Sequence, residues 1–338
     1  MRHDPLPPFQ SEATVGLDFK ILDARLRREA AEHGLDLHSG HGRSTWIVLG
    51  TGEFGARKQG NGAVVYARAH ERDWLFTLKE AVAHHVAAIA GAVPLDWSGP
   101  EQAGELPPNF SLARVASVRR LSAHFLRLRL EGQGLGRLAR DMIHFRLVLP
   151  VAEGATEWPR LSETGQTVWP QELHRPAYTV AAIDPSAGWL ETDIFIHSGG
   201  RICAFAAEAV TGTEIGLTGP GGGGIPQSDM LLIGGDETAY PALSRIIAAQ
   251  APDARITCHL FGATADYPFA GHPNLHLCHD PSGEARLARR LSTEGTHASR
   301  AWIATERARL QPLKQAVLAY LPKSHAHLAA YWNADSDR

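Results

Sequence analysis

The chain changes texture at the run Thr218-Gly219-Pro220-Gly221-Gly222-Gly223-Gly224, and that change restricts the fold more than any other feature. Before it, short apolar runs read as strands: Leu112–Val118, His124–Leu130, Ile143–Leu149, Ala177–Ile183 and Trp189–His197. Alternation is clear in Phe125-Leu126-Arg127-Leu128-Arg129-Leu130, and short strands at this spacing predict an antiparallel β-barrel. After it, strands alternate with helices. Met230–Ile233, Ile256–Phe261, Leu275–Cys278 and Ala301–Ala304 read as strands, and Glu237–Gln250, Glu284–Leu291 and Glu306–Tyr320 as helices. That order means βαβ units and an α/β parallel sheet. Upstream of both, a small α+β segment has helices over Leu17–His33, stopped by Gly34, and Arg72–Ala90, stopped by Gly91. Three strand-like runs lie between them, at Thr45–Leu49, Phe54–Arg57 and Ala63–Arg68, with a hairpin signal at Asn61-Gly62. The polar, Pro- and Gly-rich stretch Ser98–Asn109 reads as a linker. The expected division is 1–100, 108–226 and 227–338.

A length of 338 residues suits two or three domains. The formal charge of -3 supplies no basic surface for nucleic acid or for an acidic membrane. No apolar stretch reaches the roughly 18 residues that spanning a bilayer requires. The opening MRHDPLPPFQ has no apolar core of a secretory signal, so the expectation is a cytoplasmic protein. Three cysteines, Cys203, Cys258 and Cys278, cannot hold an iron–sulfur cluster. With no C-x-x-C or H-E-x-x-H spacing, the group Cys258-His259, His272, His276 and Cys278-His279-Asp280 is not read as a metal site. The absence of G-x-S-x-G argues against a serine hydrolase.

Three glycine-bearing segments can take anions or flat cofactors. Gly234-Gly235-Asp236-Glu237-Thr238 joins a strand to a helix, where backbone amides and the helix dipole would face a pyrophosphate. The same residues also suit a tight turn with Asp236 or Thr238 as N-cap, and G-x-G-x-x-G is missing. Thr218-Gly219-Pro220-Gly221-Gly222 is either a hinge or a wall of backbone open to a flat ring. His197-Ser198-Gly199-Gly200-Arg201-Ile202 runs from a strand end into a helix and again suits phosphate. Two such anion sites beside a barrel and a parallel sheet suggest two dinucleotides.

Several motifs carry a family likeness. Trp158-Pro159-Arg160, Val168-Trp169-Pro170, His174-Arg175-Pro176-Ala177-Tyr178-Thr179-Val180, Asp193-Ile194-Phe195-Ile196-His197, Thr218–Gly222, Leu232–Ala242 and Tyr331-Trp332 resemble the siderophore-interacting proteins. The resemblance covers roughly Leu112 to Trp332, and residues about 17–97 look like the small domain DUF2218 found beside such reductases. It implies a ferredoxin-reductase-like architecture and an FAD-dependent reductase of ferric siderophores or other ferric chelates. NADPH or NADH is the implied donor, with ferredoxin as another. The other readings are a reductase of free flavin or generic ferric chelates, and a non-catalytic iron-chelate-binding module. By the resemblance Tyr178 packs on the isoalloxazine and Thr179 bonds near its N5. Arg175 and Val180 adjoin the cofactor, and His197, Ser198, Gly199, Gly200, Arg201 and Ile202 line the FAD pyrophosphate. Thr218, Gly219, Pro220, Gly221 and Gly222 form the cofactor wall, and Gly234, Gly235, Asp236, Glu237 and Thr238 the nicotinamide-dinucleotide side. Tyr331 and Trp332 shield the flavin region. The family pattern R-x-Y-T-x-R is altered here: Arg175 is displaced by one, Pro176 takes the usual arginine position and Ala181 replaces the later arginine, with Arg201 as the compensating candidate. Asn333 follows Tyr-Trp in place of arginine, and Ala304-Thr305-Glu306 replaces A-G-E. An anionic chelate would need a cationic ledge, for which Arg286, Arg289, Arg290, Arg307 and Arg309 are candidates.

Overall fold

A computed structural model describes residues 6–91, 95–99, 103–140 and 142–334. In chain order its strands are β1 (Phe9–Val15), β2 (Asp36–Gly40), β3 (Ser44–Leu49), β4 (Gly52–Gln59), β5 (Gly62–Ala69), β6 (Phe110–Arg120), β7 (Phe125–Gly132), β8 (Met142–Val148), β9 (Arg160–Leu161) and β10 (Thr167–Val168). There follow β11 (Ala177–Thr179), β12 (Ala182–Asp184), β13 (Trp189–Phe195), β14 (Glu214–Gly224), β15 (Met230–Gly235), β16 (Arg255–Leu260), β17 (Leu275–His279), β18 (Arg300–Glu306) and β19 (Ala326–Trp332). The α-helices are α1 (Phe19–His33), α2 (Arg72–Ala90), α3 (Arg201–Glu208), α4 (Tyr240–Ala248), α5 (Glu284–Glu294) and α6 (Arg307–Leu318). Among the described residues no helix is long and apolar enough to cross a membrane.

The chain forms two compact units, Met1–Ser111 with Val151–Leu173, and Leu112–Pro150 with His174–Arg338. The first holds an antiparallel sheet in the order β1-β5-β4-β3-β2 with α1 and α2 packed on it. Asp18 caps α1 by accepting the Lys20 amide at 2.8 Å, and Phe19, Leu22, Leu26 and Ala30 form its buried stripe. Gly34, at φ 65°, ends it. The stretch expected to be a linker is tied into this unit: Ser98 N donates to Glu12 O, Gly104 N to Leu161 O and Leu161 N to Glu105 O. Residues 100–102 of that stretch lie outside the described residues.

In the second unit a seven-stranded sheet runs β11-β8-β14-β6-β7-β13-β12. Its interior is filled by Leu128, Leu130, Phe145, Leu147, Ile215 and Leu217. The single strand expected over Ala177–Ile183 is two strands on opposite edges. The break falls where Val180 N still bonds Ile143 O beside β8 while Ala181 N turns to Glu191 O on β13, drawing the two edges together. The glycine run is not a hinge. It continues β14, pairing Thr218 with Arg146, Gly221 with His144 and Gly224 with Met142, with bulges between them.

The parallel sheet follows in the order β17-β16-β15-β18-β19. Leu231 and Ile233 on one face meet α4 together with Phe125 and Ile143 of the barrel. Leu232 and Ile303 on the other face meet α5 and α6. Cover on both faces accounts for the unbroken apolar runs of β15 and β18.

Candidate functional site

Strand register brings together residues that are distant in sequence. Thr179 of β11 and Gly221 of β14 both pair with His144 of β8, so these three share one face. Tyr178 pairs with Phe145 and lies on the other face, half-buried against Cys203 of α3, and burial pushes its phenol well above the usual range. Thr179 is buried, and its carbonyl accepts the Thr192 hydroxyl at 2.8 Å. The next carbonyl, Val180 O, accepts Arg245 Nη1 of α4 at 2.8 Å. A partly buried arginine thus ties the parallel-sheet half to the strand of Tyr178 and Thr179.

The turn before α3 is built for backbone donors. Gly199 takes φ 80°, where L side chains are strained, and Gly200 is the N-cap without a side-chain cap bond. A Cβ on Gly200 would lie 2.8 Å from the His197 ring and 3.1 Å from Cys203 Sγ, so only glycine leaves this cradle open. His197 and Ser198 are exposed beside it, Ile202 anchors the helix in the core, and Arg201 projects from its first turn. Uncapped first-turn amides with the positive helix end fit the diphosphate of a dinucleotide.

The glycine wall is equally tight. Arg137 Nε donates to Gly219 O at 2.8 Å and its Nη2 to Leu217 O at 3.1 Å. Gly222 sits at φ 77°, and a Cβ there would fall 2.5 Å from His144 Nδ1. On its other side, His144 Nε2 lies 2.5 Å from the Tyr331 hydroxyl. Burial first, then His327 and Arg245, lower the His144 pKa to about 4. Burial raises Tyr331 far above the phenol range, so a neutral tyrosine donates to a neutral imidazole. Trp302 stacks on His327 at 5.4 Å and meets Tyr331 edge-on at 5.9 Å, which packs the end of β19 against the sheet core.

At the end of β15, a Cβ on Gly235 would lie 2.5 Å from Ala239 Cβ and 2.6 Å from Ala304 O, so the turn closes only with glycine. Asp236 caps this turn, its Oδ1 accepting Thr238 N at 3.1 Å and Thr238 Oγ1 at 2.5 Å. Its Oδ2 accepts Thr305 Oγ1 at 3.0 Å and Trp332 Nε1 at 2.8 Å. The helix expected from Glu237 therefore starts at Tyr240, after a 3-10 turn. Glu237 accepts the Thr264 amide at 3.2 Å.

The site residues expected from sequence therefore form three clusters: the Tyr178/Thr179 strand with the glycine wall and Tyr331, the α3 turn, and the β15 turn with Trp332. Arg175 stands just before β11, and its carbonyl accepts Arg146 Nη1 at 2.9 Å. The ledge candidates Arg286, Arg290 and Arg309 contact Asp280, His259 and Glu284. Cys258 is buried in the α4-side core, while neighbouring His259 bonds Arg290 on the α5 side. His144, His327 and Arg245 were not singled out by sequence reasoning. The alternation in Ile143-His144-Phe145-Arg146-Leu147 does set His144 on the face opposite the barrel core, but its partners emerge only through register.

The antiparallel barrel with its uncapped glycine turn falls in the class of FAD-binding domains, and the parallel sheet that follows it carries a glycine turn of its own. Residues 114–224 match the siderophore-interacting FAD-binding domain and residues 228–335 the siderophore-interacting protein family. The chain belongs to the siderophore-interacting protein family. It is 32% identical over 136 residues to the ferric vibriobactin reductase ViuB of Vibrio cholerae, covering 38% of this chain and 49% of that one. It is likewise 32% identical over 136 residues to the NADPH-dependent ferric-chelate reductase of Escherichia coli, covering 39% and 53%. The chain thus spans about half the length of these curated relatives. A siderophore utilization protein from T. fusca superposes with a TM-score of 0.57 at 24% identity, over 69% of this chain and 96% of the other. SipS from Aeromonas hydrophila does so with 0.56 at 21%, over 68% and 93%.

Proposed function

We propose that this protein uses FAD to reduce ferric siderophores or related ferric chelates with electrons from NADH or NADPH, releasing Fe(II) in the cytoplasm. The observation that carries this reading is strand β11, which sets Thr179 on a face shared with His144 and Gly221 and closed by Tyr331, and Tyr178 on the other face, where it meets Cys203 of α3. Residues 108–226 serve as the flavin domain and 227–338 as the dinucleotide domain. Bound FAD supplies the capacity to accept hydride from a reduced nicotinamide and to pass electrons on singly.

The chain's own residues bind and orient. Tyr178 offers a half-buried ring for the isoalloxazine to pack on, and Thr179 a hydroxyl for its N5 edge. Arg175, Val180 and the Thr218–Gly222 wall border the ring, while His197, Ser198, the Gly199–Ile202 turn and Arg201 hold the diphosphate. Gly234, Gly235, Asp236, Glu237 and Thr238 line the dinucleotide approach, with Tyr331 and Trp332 excluding water from the space between. Each hydride carries two electrons and so converts two ferric centres to ferrous ones, leaving one proton. The oxygen ligands of a siderophore hold Fe(II) much less tightly than Fe(III), so reduction frees the metal without any protein ligand.

The test is anaerobic. The purified protein reconstituted with FAD should show bound-flavin absorbance, bleach on addition of a reduced dinucleotide, and recover colour on addition of a ferric siderophore as a ferrous-specific chelator traps Fe(II). Failure to bind FAD, or reduced flavin that ferric siderophore does not reoxidise, refutes the reading. Bleaching by reduced ferredoxin alone would replace the donor.

A further inference from the structure

The carboxyl ends of β16 and β17 carry a distinct pattern of charged residues. In open sheets a dinucleotide crosses the carboxyl ends of the strands, with its pyrophosphate at the first glycine turn. Its adenosine ribose lies about 20 residues further on, where an acidic group suits a free 2′-hydroxyl and an arginine a 2′-phosphate. With the glycine turn at the end of β15, that region is the end of β16 and its neighbour β17.

Two loops leave these strand ends, Phe261–Phe269 and His279–Glu284. Neither contains a lysine or arginine, and together they carry Asp266, Asp280 and Glu284. Glu237 adds a fourth carboxylate: besides accepting the Thr264 amide, it sits where a Cβ on Gly262 would fall 2.5 Å from its Oε2. Arginines reach these loops as well, and Arg286 is the one held closely by a carboxylate. Arg286 meets both oxygens of Asp280, through Nε at 2.9 Å and through Nη2. Arg290 donates to His259 Nε2 at 3.2 Å, and Arg309 Nη1 lies 3.7 Å from Glu284 Oε1.

We infer that this edge selects NADH over NADPH, with Asp280 as the specificity-determining residue both through its own charge and through its hold on Arg286. The inference rests on the proposed role of a reduced nicotinamide dinucleotide as donor. A 2′-phosphate brings nearly two negative charges to an edge where the carboxylates of Glu237, Asp266 and Asp280, together with the buried Glu284, outnumber the guanidiniums of Arg286, Arg290 and Arg309, whereas a 2′-hydroxyl can donate to a carboxylate.

Two measurements test it. Calorimetric titration of the full-length protein with ADP-ribose and with its 2′-phosphate reads binding without any redox step, and anaerobic flavin reduction by NADH and NADPH reads the loaded protein. Both should favour the unphosphorylated ligand by about tenfold or more. Asp280→Ser, at a partly exposed position, releases Arg286 and should narrow the ratio about tenfold by tightening the phosphorylated ligand. The double variant Asp280→Ser/Arg286→Gln should lose that gain. Preference of the wild type for the phosphorylated ligand, or an unchanged ratio in Asp280→Ser, overturns the inference. Flavin that neither dinucleotide reduces, with ADP-ribose still bound more tightly than its 2′-phosphate, removes the donor reading and upholds the selectivity of the edge.

Discussion

Acid should destabilise this protein through a histidine at the centre of its candidate site. His144 is held neutral between Tyr331 and the glycine wall, its pKa lowered from 6.5 to about 4 by burial, His327 and Arg245. Unfolding returns the imidazole to its ordinary value, so between those two values the unfolded chain binds the proton and the folded chain resists it. The stability that neutral His144 contributes is complete above about pH 6.5, is lost as pH falls toward about 4, and changes no further below. For this shift the linkage integral gives a loss of about 2 kcal/mol between about pH 7.5 and about pH 5. His259 is lowered to about 4 by burial, Arg290 and His276, and adds a second loss of the same sign. The variant His144→Gln separates the two, since its amide can accept the Tyr331 hydroxyl but does not titrate. Urea denaturation at the two pH values, followed by far-UV circular dichroism, should show the wild type losing about 2 kcal/mol more than the variant on acidification. Parallel pH profiles would refute the neutral, buried imidazole and with it the Tyr331 contact.

Other perturbations probe neighbouring parts of the same unit. Asp193, only 2% exposed, accepts Arg127 Nε at 2.6 Å, Arg127 Nη2 at 2.7 Å and the Tyr267 hydroxyl at 2.6 Å. Asp193→Ala leaves the Tyr267 hydroxyl without its acceptor and Arg127 with Glu191 at 3.2 Å, and should cost about 3 kcal/mol, lowering the thermal midpoint by about 10 °C; a shift within a degree or two would count against the pair. Gly222→Ala combines a φ of 77° with a Cβ 2.5 Å from His144 Nδ1, and should cost about 1–3 kcal/mol and speed FAD release measured by flavin fluorescence. Arg201→Gln should weaken FAD binding about tenfold, as expected for a charge-assisted phosphate contact, with unchanged urea midpoints because the side chain is exposed. Equal FAD affinity would place the diphosphate elsewhere.

What could be read from the sequence was what is local. The stripe Phe19, Leu22, Leu26, Ala30 with its Gly34 stop marks α1, and the strand-dominated run before Gly224 separates barrel from parallel sheet. Strands without periodic apolar signal were missed. Phe9–Val15 reads FQSEATV and Asp36–Gly40 reads DLHSG, and both hold their place by pairing with β5 and β3. β19 escaped because Ala326–Trp332 is small and weakly apolar, its order coming from the parallel ladder to β18 and from Trp302 beneath it. The candidate site behaves the same way. Tyr178, Thr179 and the three glycine turns are motif residues, whereas His144 and Arg245 matter through a cross-strand register and a contact from another element, neither of which is encoded by spacing.

The two altered arginine positions show how far backbone can stand in for side chains. Pro176 and Ala181 both make barrel-closing main-chain bonds, Pro176 O accepting Leu147 N and Ala181 N donating to Glu191 O, so the strand path survives the loss of the arginines. By the family resemblance, what is lost is charge that would meet the phosphates of the proposed FAD. The first turn of α3 offers about half a unit of positive charge through amides that no side chain caps, and Arg201 on that turn adds a full one. Because Gly199 and Gly200 keep the approach free of Cβ atoms, those amides can reach anionic oxygens at hydrogen-bonding distance. In the proposed function the burden of holding the phosphates therefore shifts from the β11 strand to the start of α3, which leaves β11 to position Tyr178 and Thr179.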